Sequence, residues 1–475
     1  MSKVLVTGAT GFIGKRLLFQ LLDLGHEVYA LSRIRGIPIG SFDHPNLHVI
    51  YGDLKDPSKI DPIPQDIDAA YYLIHSMAEK VNNLLEHEQK TAQNFVNLLE
   101  KTDCKHIIYL GGIIDEKNNL SPHLFSRQQV ENVLKSSKIP VTVLRASIII
   151  GAGSASFEII RDLVEKLPIM VAPKWIKTLC QPLSIVDVLF YLSASLLNKD
   201  MFHQTYDIGG PEVMSFKQVL INYAKFRNLK RFLIEVPILT PRLSSYWLVF
   251  ISSVRFSLCS YLVESMKHNT ICHIGNINAV IPHTCLSFEE TLKRAFMKIS
   301  QNEVVSTWMD AWQIEGSDPD LTKYIQLPQG GCLKDEKTFP LRCSREESIA
   351  RVWKIGGNQG WYGLEWAWQL RGLIDKMLGG AGMNRGRRHP FEIEIGDSID
   401  FWRVVKADKK EGHLILYAEM KLPGEAWLEF LVKEKTLHQT ALFRPKGVLG
   451  RLYWYSMIPF HFFIFKKMAQ KLSEA

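Results

Sequence analysis

Lys3-Val4-Leu5-Val6-Thr7-Gly8-Ala9-Thr10-Gly11-Phe12-Ile13-Gly14 stands at the head of the chain. Its first five residues are a short apolar, β-branched run, and Lys15 to Leu24 beyond the glycines is amphipathic with helical period. The order is strand, tight turn, helix. Gly8 permits the turn, Gly11 lets backbone approach a pyrophosphate, and Gly14 lets the helix pack on the strand. Thr10, Phe12 and Ile13 complete the loop, whose N–H groups would meet phosphate at the positive end of the helix. Glycine turns alone are common. Placed between a strand and a helix, this one points to a dinucleotide.

A second strand, Glu27 to Leu31, leaves through Ser32-Arg33-Ile34-Arg35. An acid at this exit accepts from the ribose 2′-hydroxyl of NAD(H), whereas arginine pairs with the 2′-phosphate of NADP(H). Arg33 and Arg35 stand where the acid would be, which favours NADP(H) over NAD(H); the alternative is two solvated surface arginines. Further strands are expected at Leu47 to Tyr51, Ala69 to Ile74 and His106 to Leu110, with a helix over Asn82 to Lys101. This βαβ order gives a doubly wound parallel sheet, an α/β Rossmann fold. Gly52-Asp53-Leu54 would set Asp53 and Leu54 beside the adenine, unless Asp53 is a turn or helix-capping aspartate. Leu73-Ile74-His75 would run along the cofactor at the carboxyl end of the fourth strand, with Leu73 and His75 as contacts.

The chain has 475 residues, 46% of them hydrophobic and 22% charged, which is too long for one core and implies two or three domains. The net charge of +8 is spread along the chain, not blocked as nucleic-acid binding requires. Seven cysteines without a Cys-x-x-Cys pair suit a reducing cytosol better than a disulfide framework. Cys272-His273 and His283-x-Cys285 have zinc-ligand types at a spacing that fits no common site, so no metal is expected. The N-terminal apolar run is too short for a secretory signal, and Tyr246 to Val263, broken by Arg255 and several serines, reads as a buried or interfacial helix pair.

With T-G-A-T-G-F-I-G, G-D-L and the later L-R-A-S-I-I-I-G on the page, residues 1–300 resemble the extended and atypical short-chain dehydrogenase/reductases, and more narrowly the NmrA-like and complex I accessory-subunit branch. The C-terminal W-x-L-R-G-L-I-D, G-R-R-x-P, G-D-x-I-D-F-W-R-V and A-E-M-K-L-P-G-E-A-W-L-E-F resemble a bacterial family that joins an NAD(P)-binding domain to a domain of unknown function. The reductase resemblance implies a catalytic Ser and a Tyr-x-x-x-Lys pair, and the chain departs from both. Gly111-Gly112 follows the fifth strand where serine would stand, and His123 and Arg127 occupy the tyrosine and lysine positions, sharing one helix face. Arg127 could replace the lysine's charge and ribose contact, and His123 could relay a proton near neutral pH. Alternatively, catalysis is lost and His123 merely caps or packs.

Leu144 to Gly151 reads as the sixth strand, Gln181 to Val188 as a returning strand and helix start with Asp187 as N-cap, and Ser215 to Phe226 as a helix. A cap or substrate region spans about 211–300, and Pro237 to Val263 within it is rich in apolar residues. Residues 301–330 form a linker, and 331–475 a second fold holding seven of the eleven tryptophans. There Phe339 to Cys343 reads as a strand and Arg345 to Lys354 as a helix, followed by strands at Ile393 to Asp397, Asp400 to Val405, His413 to Met420, Trp427 to Val432 and Gln439 to Phe443, with Pro423-Gly424-Glu425 as a hairpin turn. A closing apolar helix, Leu449 to Met468, presses on the sheet. This is the order of a START-like α+β helix-grip fold around an apolar cavity. Arg385 to Pro390 is a basic patch that binds an anion or is a solvated loop. The expected function is an NADP(H)-dependent oxidoreductase acting on a hydrophobic carbonyl-type substrate, in the cytoplasm with possible peripheral contact at the inner membrane. The alternative is a catalytically degenerate sensor, assembly factor or lipid- or quinone-handling protein. Neither direction of reaction nor oligomeric state is encoded in any spacing.

Overall fold

In a computed structural model, the structure describes residues 1–33, 44–74, 81–114, 122–236, 267–300, 332–377, 382, 387 and 391–474. Described residues up to Ser300 fall in one compact unit and those from Cys332 in another.

The first unit is built on β1 (Lys3–Thr7), β2 (Glu27–Ser32), β3 (Leu47–Tyr51), β4 (Ala69–Tyr72), β5 (His106–Gly112), β6 (Val141–Ala146) and β7 (Thr205–Ile208). These pair in parallel in the order β7-β6-β5-β4-β1-β2-β3. Val4, Leu5 and Val6 are completely buried, as a strand covered on both faces must be. Helix α1 (Phe12–Asp23) buries Leu17, Leu18, Leu21 and Leu22 as one stripe, and α2 (Val81–Leu99) and α3 (Pro122–Lys135) follow β4 and β5. The strand order reverses between β1 and β4, and there an open α/β sheet leaves its ligand crevice.

The run expected as one strand to Gly151 is two. At Ser147 the hydroxyl donates to the Thr270 carbonyl at 2.7 Å and the N–H to that of Ile208 at 3.1 Å, which turns the chain. Ile149–Ile150 then pairs separately with Leu183–Ser184. A second core joins α4 (Ala155–Lys166), α6 (Phe216–Phe226), α7 (Phe288–Ser300) and the parallel pair Ile169–Pro173 and Phe232–Val236. The cap therefore draws on residues from Ile150 onward and not only on 211–300. Between them lies α5 (Ile185–Ala194), whose N-cap is Ser184 and not Asp187. The apolar stretch 237–263 lies outside the described residues.

In the second unit β8 (Leu333–Pro340), β9 (Ser398–Ile399), β10 (Trp402–Asp408), β11 (His413–Ala418), β12 (Gly424–Val432) and β13 (Thr436–Pro445) form an antiparallel sheet in the order β8-β13-β12-β11-β10-β9. The first strand lies earlier than expected, because its register against β13 runs from Leu333 opposite Phe443 to Pro340 opposite Thr436. Ile393 to Asp397 is a turn, closed by the Asp397 carboxylate accepting from the Glu394 N–H at 2.9 Å. Gly424 and Glu425 already belong to β12, so the hairpin turn precedes them. Helix α8 (Arg345–Val352) begins at a Ser344–Glu347 capping box. Helix α9 (Glu365–Met377) had no counterpart among the expected elements.

The closing helix α10 (Gly447–Ser473) packs Trp454, Phe465, Met468, Ala469 and Leu472 inward. Phe460, Phe462 and Phe463, expected against the sheet, are each more than half exposed. Phe463 faces away from the buried 454-465-468-472 stripe, while Phe460 and Phe462 flank it. Among the described residues no helix is long and apolar enough to cross a membrane.

Candidate functional site

The glycine turn sits at the carboxyl end of β1, at the switch point. Gly8 has φ +67°, and a Cβ there would lie 2.7 Å from the Leu73 carbonyl oxygen. Its N–H-to-carbonyl closure comes from Gly11, which donates to the Gly8 oxygen at 2.9 Å. A Cβ on Gly14 would stand 2.2 Å from that same Gly8 oxygen and 3.0 Å from Ala9 Cα, so only glycine lets α1 seat on the turn. Gly11 is the N-cap with an extended backbone that any residue can adopt; its lack of a side chain keeps the approach to the helix end open. No side chain caps α1 and no acid occupies its first turn, so its positive end is left for an anion. The donor set, the dipole and the cradle that a Cβ would fill all fit a dinucleotide pyrophosphate.

Thr10, Phe12 and Ile13 are half-buried in this turn. Sequence reasoning missed Arg16. Its guanidinium lies 4.1 Å from the Phe12 ring centroid and donates to the carbonyls of Phe12 at 2.8 Å and Ala152 at 3.0 Å, tying the start of α1 to the loop beyond Ile150. The i, i+4 spacing from Phe12 was its only signal. Thr7 was missed too: its hydroxyl donates to the Tyr71 carbonyl at 2.9 Å and accepts from the Leu73 N–H at 3.3 Å, which holds Leu73 beside Gly8.

At the next strand exit Arg33 is exposed, and no described residue pairs with it. Gly52 donates to the Ser32 carbonyl at 3.0 Å, bringing the Arg33 and Asp53 exits side by side. Asp53 forms a turn, its Oδ1 accepting from the Lys55 N–H at 2.9 Å. Leu54 is 1% exposed and belongs to the core beneath, so burial keeps its side chain from a ligand. Arg35 and His75 lie outside the described residues.

Helix α3 carries the departure from the reductase pattern. His123 is its second residue, and its side chain lies outside what the structure describes. Arg127 is 8% exposed, in a buried layer with Glu88 of α2, Tyr72 of β4 and Tyr109 of β5. Ser126 donates to the Glu88 carboxylate, and the Tyr109 hydroxyl donates to the Arg127 carbonyl at 3.4 Å. Burial pushes the phenols of Tyr72 and Tyr109 above their ordinary value, so both keep their protons at neutral pH. Asp187 is buried as well. Its carboxylate takes His283 Nε2 at 2.8 Å and the Leu286 N–H at 3.1 Å, and Cys285 Sγ meets the Tyr191 hydroxyl at 3.3 Å. Asp187, His283 and Cys285 thus come within 4.8 Å of one another, a grouping the sequence spacing did not foretell, with each side chain engaged in a hydrogen bond.

The second unit contains a pocket of about 230 Å³ between α9, the sheet and α10. Trp402 and Trp427, which periodicity could not orient, both line it, with Trp368, Trp454, Phe460 and Phe465 among the other walls. Trp361 is stacked on Trp368 at 4.8 Å and donates its Nε1–H to Asp400 at 2.8 Å. Burial pushes the Asp400 carboxyl up to about 6. Of the basic patch, Arg387 is described, and it donates to the carbonyls of Ile355 at 2.9 Å and Trp353 at 2.7 Å; it secures this loop.

A family model described as NAD(P)H-binding matches residues 8–163, and one described as a protein of unknown function (DUF2867) matches residues 328–468. Photosystem II assembly factor Ycf39 of Trieres chinensis is 24% identical over 208 residues, 44% of this chain and 63% of that protein. The chloroplastic divinyl chlorophyllide a 8-vinyl-reductase of Zea mays is 22% identical, covering 44% and 55%. The mitochondrial NADH dehydrogenase [ubiquinone] 1 alpha subcomplex subunit 9 of Arabidopsis thaliana is 26% identical, covering 48% and 58%. The chain thus spans little more than half the length of these curated relatives. Among solved structures, UDP-glucose 4-epimerase of Thermotoga maritima superposes with a TM-score of 0.49 at 12% identity, over 63% of this chain and 99% of that one. The N-terminal unit thus pairs a Rossmann-like parallel sheet with a match to an NAD(P)H-binding family, and the stretch that matches DUF2867 follows it in the chain.

Proposed function

We propose that the protein is an NADP(H)-dependent oxidoreductase of the atypical short-chain class that acts on a hydrophobic carbonyl-type substrate, with the C-terminal unit holding a lipid-like ligand. The observation that carries this reading is the glycine cradle at the switch point, where a Cβ on Gly8 or Gly14 would strike backbone. The bound cofactor would supply hydride-transfer chemistry. The chain's own contribution is binding and alignment: the α1 terminus receives the pyrophosphate, Arg33 and Arg35 pair with the 2′-phosphate, and Leu73 and His75 border the nicotinamide half. His123 is the proton donor to the substrate oxygen, and Arg127, buried one turn along, holds the helix that carries it.

The helix-grip reading of the C-terminal unit is supported by its strand order, in which the first strand pairs with the last and a long helix closes the chain. Peripheral attachment at the inner face of a membrane is part of this reading, supported by α10, where Val448, Leu449, Leu452 and Phe463 are all above 60% exposed.

A second reading, a cofactor-binding sensor or assembly factor without turnover, is favoured by one observation: Arg127 is buried with Glu88 and Tyr109 instead of standing exposed at a cleft. The relatives bear names of both kinds, one a reductase and one an assembly factor. Titration of the intact protein with NADPH and NADH, followed by fluorescence, tests the cofactor. Arg33→Asp should weaken NADPH about ten- to a hundredfold, the worth of a charge-assisted hydrogen bond, and leave NADH within about twofold. Binding of neither nucleotide would overturn the oxidoreductase reading; binding with no NADPH oxidation on hydrophobic aldehydes, ketones and enones would select the sensor.

A further inference from the structure

A pocket that is almost wholly apolar should have no polar wall atoms left without partners, since each costs the free energy of its lost hydration. The pocket of the DUF2867 domain does. Trp368 and Trp402 line it at 6% and 5% exposure, and the indole Nε1–H of each is buried with no hydrogen-bond partner. Arg371, one turn along α9 from Ala367, also lines it, with Nη1 buried and unpartnered. His461 of α10 completes the set: its Nδ1 has no partner, and burial lowers the imidazole to about 4, so the ring is neutral at pH 7.

Arg371 is the decisive member, because a guanidinium stays charged. Asp375 lies four residues on, but its two oxygens accept from the backbone N–H groups of Gly382 at 2.8 Å and Lys421 at 2.7 Å. Among the described residues, no carboxylate forms an ion pair with Arg371. An apolar chamber with one cation and two indole donors in its wall is complementary to a molecule with the converse plan.

We propose that this pocket binds an anionic amphiphile: an apolar body seated among the tryptophans and phenylalanines, and one acidic head, carboxylate or phosphate, on Arg371 with the indole N–H groups of Trp368 and Trp402 as further donors. The proposal rests on the ligand-holding reading of the C-terminal unit and is independent of the cofactor.

The test titrates the full-length protein, by quenching of tryptophan fluorescence, with a straight-chain carboxylic acid, the alcohol of the same length and its phosphate monoester. The acid or the phosphate should bind about ten- to a hundredfold more tightly than the alcohol, and whichever of the two binds more tightly identifies the head group. Arg371→Met should abolish that preference while retaining the alcohol's affinity, and Arg371→Lys should restore part of it. Equal affinity for acid, phosphate and alcohol would overturn the proposal and leave the holding reading intact. Failure of all three to bind the wild type would overturn both.

Discussion

Asp400→Asn offers a sharp test of how the second unit is held together. Asp400 is 2% exposed, and its Oδ2 accepts from Trp361 Nε1 at 2.8 Å. Burial is the chief cause that lifts its carboxyl from 3.8 to about 6; the Trp361 and Gly357 N–H groups and Arg387 oppose the rise. The folded state therefore retains a proton that the unfolded chain releases between these values. Stability falls as pH rises through that window and stays reduced above it, by about 3 kcal/mol for a shift of roughly two units at 1.36 kcal/mol each. Asparagine removes the charge, keeps an acceptor for Trp361, and tolerates the left-handed φ of +52° found here. After roughly 1 kcal/mol is lost to weaker hydrogen bonding at every pH, the variant should gain about 2 kcal/mol at pH 8 and lose up to about 1 kcal/mol at pH 4. In a unit of this size that is about 4–8 °C in Tm. Seven of the eleven tryptophans lie after residue 330, so thermal melts followed by tryptophan fluorescence at pH 4, 6 and 8 report mainly on this unit. A variant destabilised equally at every pH would refute the reasoning, because the carboxylate would then be a net stabiliser.

Gly14→Ala should raise the NADPH dissociation constant at least tenfold, because a Cβ at 2.2 Å from the Gly8 oxygen forces α1 away from the turn; unchanged affinity would show that the cradle is not the pyrophosphate site. Arg16→Met should loosen α1 from Ala152 and cost a few-fold in NADPH affinity and about 1 kcal/mol in stability, measured by titration and chemical denaturation. The intact protein should cosediment with anionic lipid vesicles, and paired Leu449→Glu and Phe463→Glu changes should abolish this without altering NADPH binding. Should the pair sediment as the wild type does, the exposed face of α10 has another purpose.

The Rossmann half was legible because its signals are local. A buried parallel strand is a continuous apolar run, and the glycine turn must use glycine, so Val4 to Gly14 states its own geometry. What escaped notice depends on contacts between distant residues. Arg16 acquires its role from the carbonyl of Ala152, and Ser147 breaks the sixth strand because Thr270 lies across from it. The three-residue grouping at His283 needs Asp187, ninety-six positions away. In the second unit β8 carries five consecutive polar residues, Lys334 to Thr338, along an edge, and its position is set by β13, not by its own composition. Helix α9 was hidden by its exposed apolar residues: Trp366 and Leu370 are 61% and 49% exposed, so its apolar stripe is too broad to mark one buried face. The direction in which Trp402 and Trp427 point needed the sheet itself.

Arg127 decides how much of the reductase chemistry the first unit retains. If it is the ribose-holding cation, it must leave the buried layer it shares with the Glu88 charge when the cofactor binds. Stranding a buried charge costs about 3–5 kcal/mol. A hydrogen bond from a charged group to a ribose hydroxyl returns about 1.5–3 kcal/mol, so the exchange runs uphill. The balance favours an Arg127 that stays in the buried layer where it offsets the Glu88 charge, leaving ribose contacts to backbone. Arg127→Met should then lower Tm by several degrees while the NADPH dissociation constant of the folded protein stays within about twofold. The double variant Arg127→Met with Glu88→Gln should recover part of the loss, because no charge is left buried alone. A tenfold weaker dissociation constant at unchanged Tm would reverse the conclusion and return Arg127 to the cofactor.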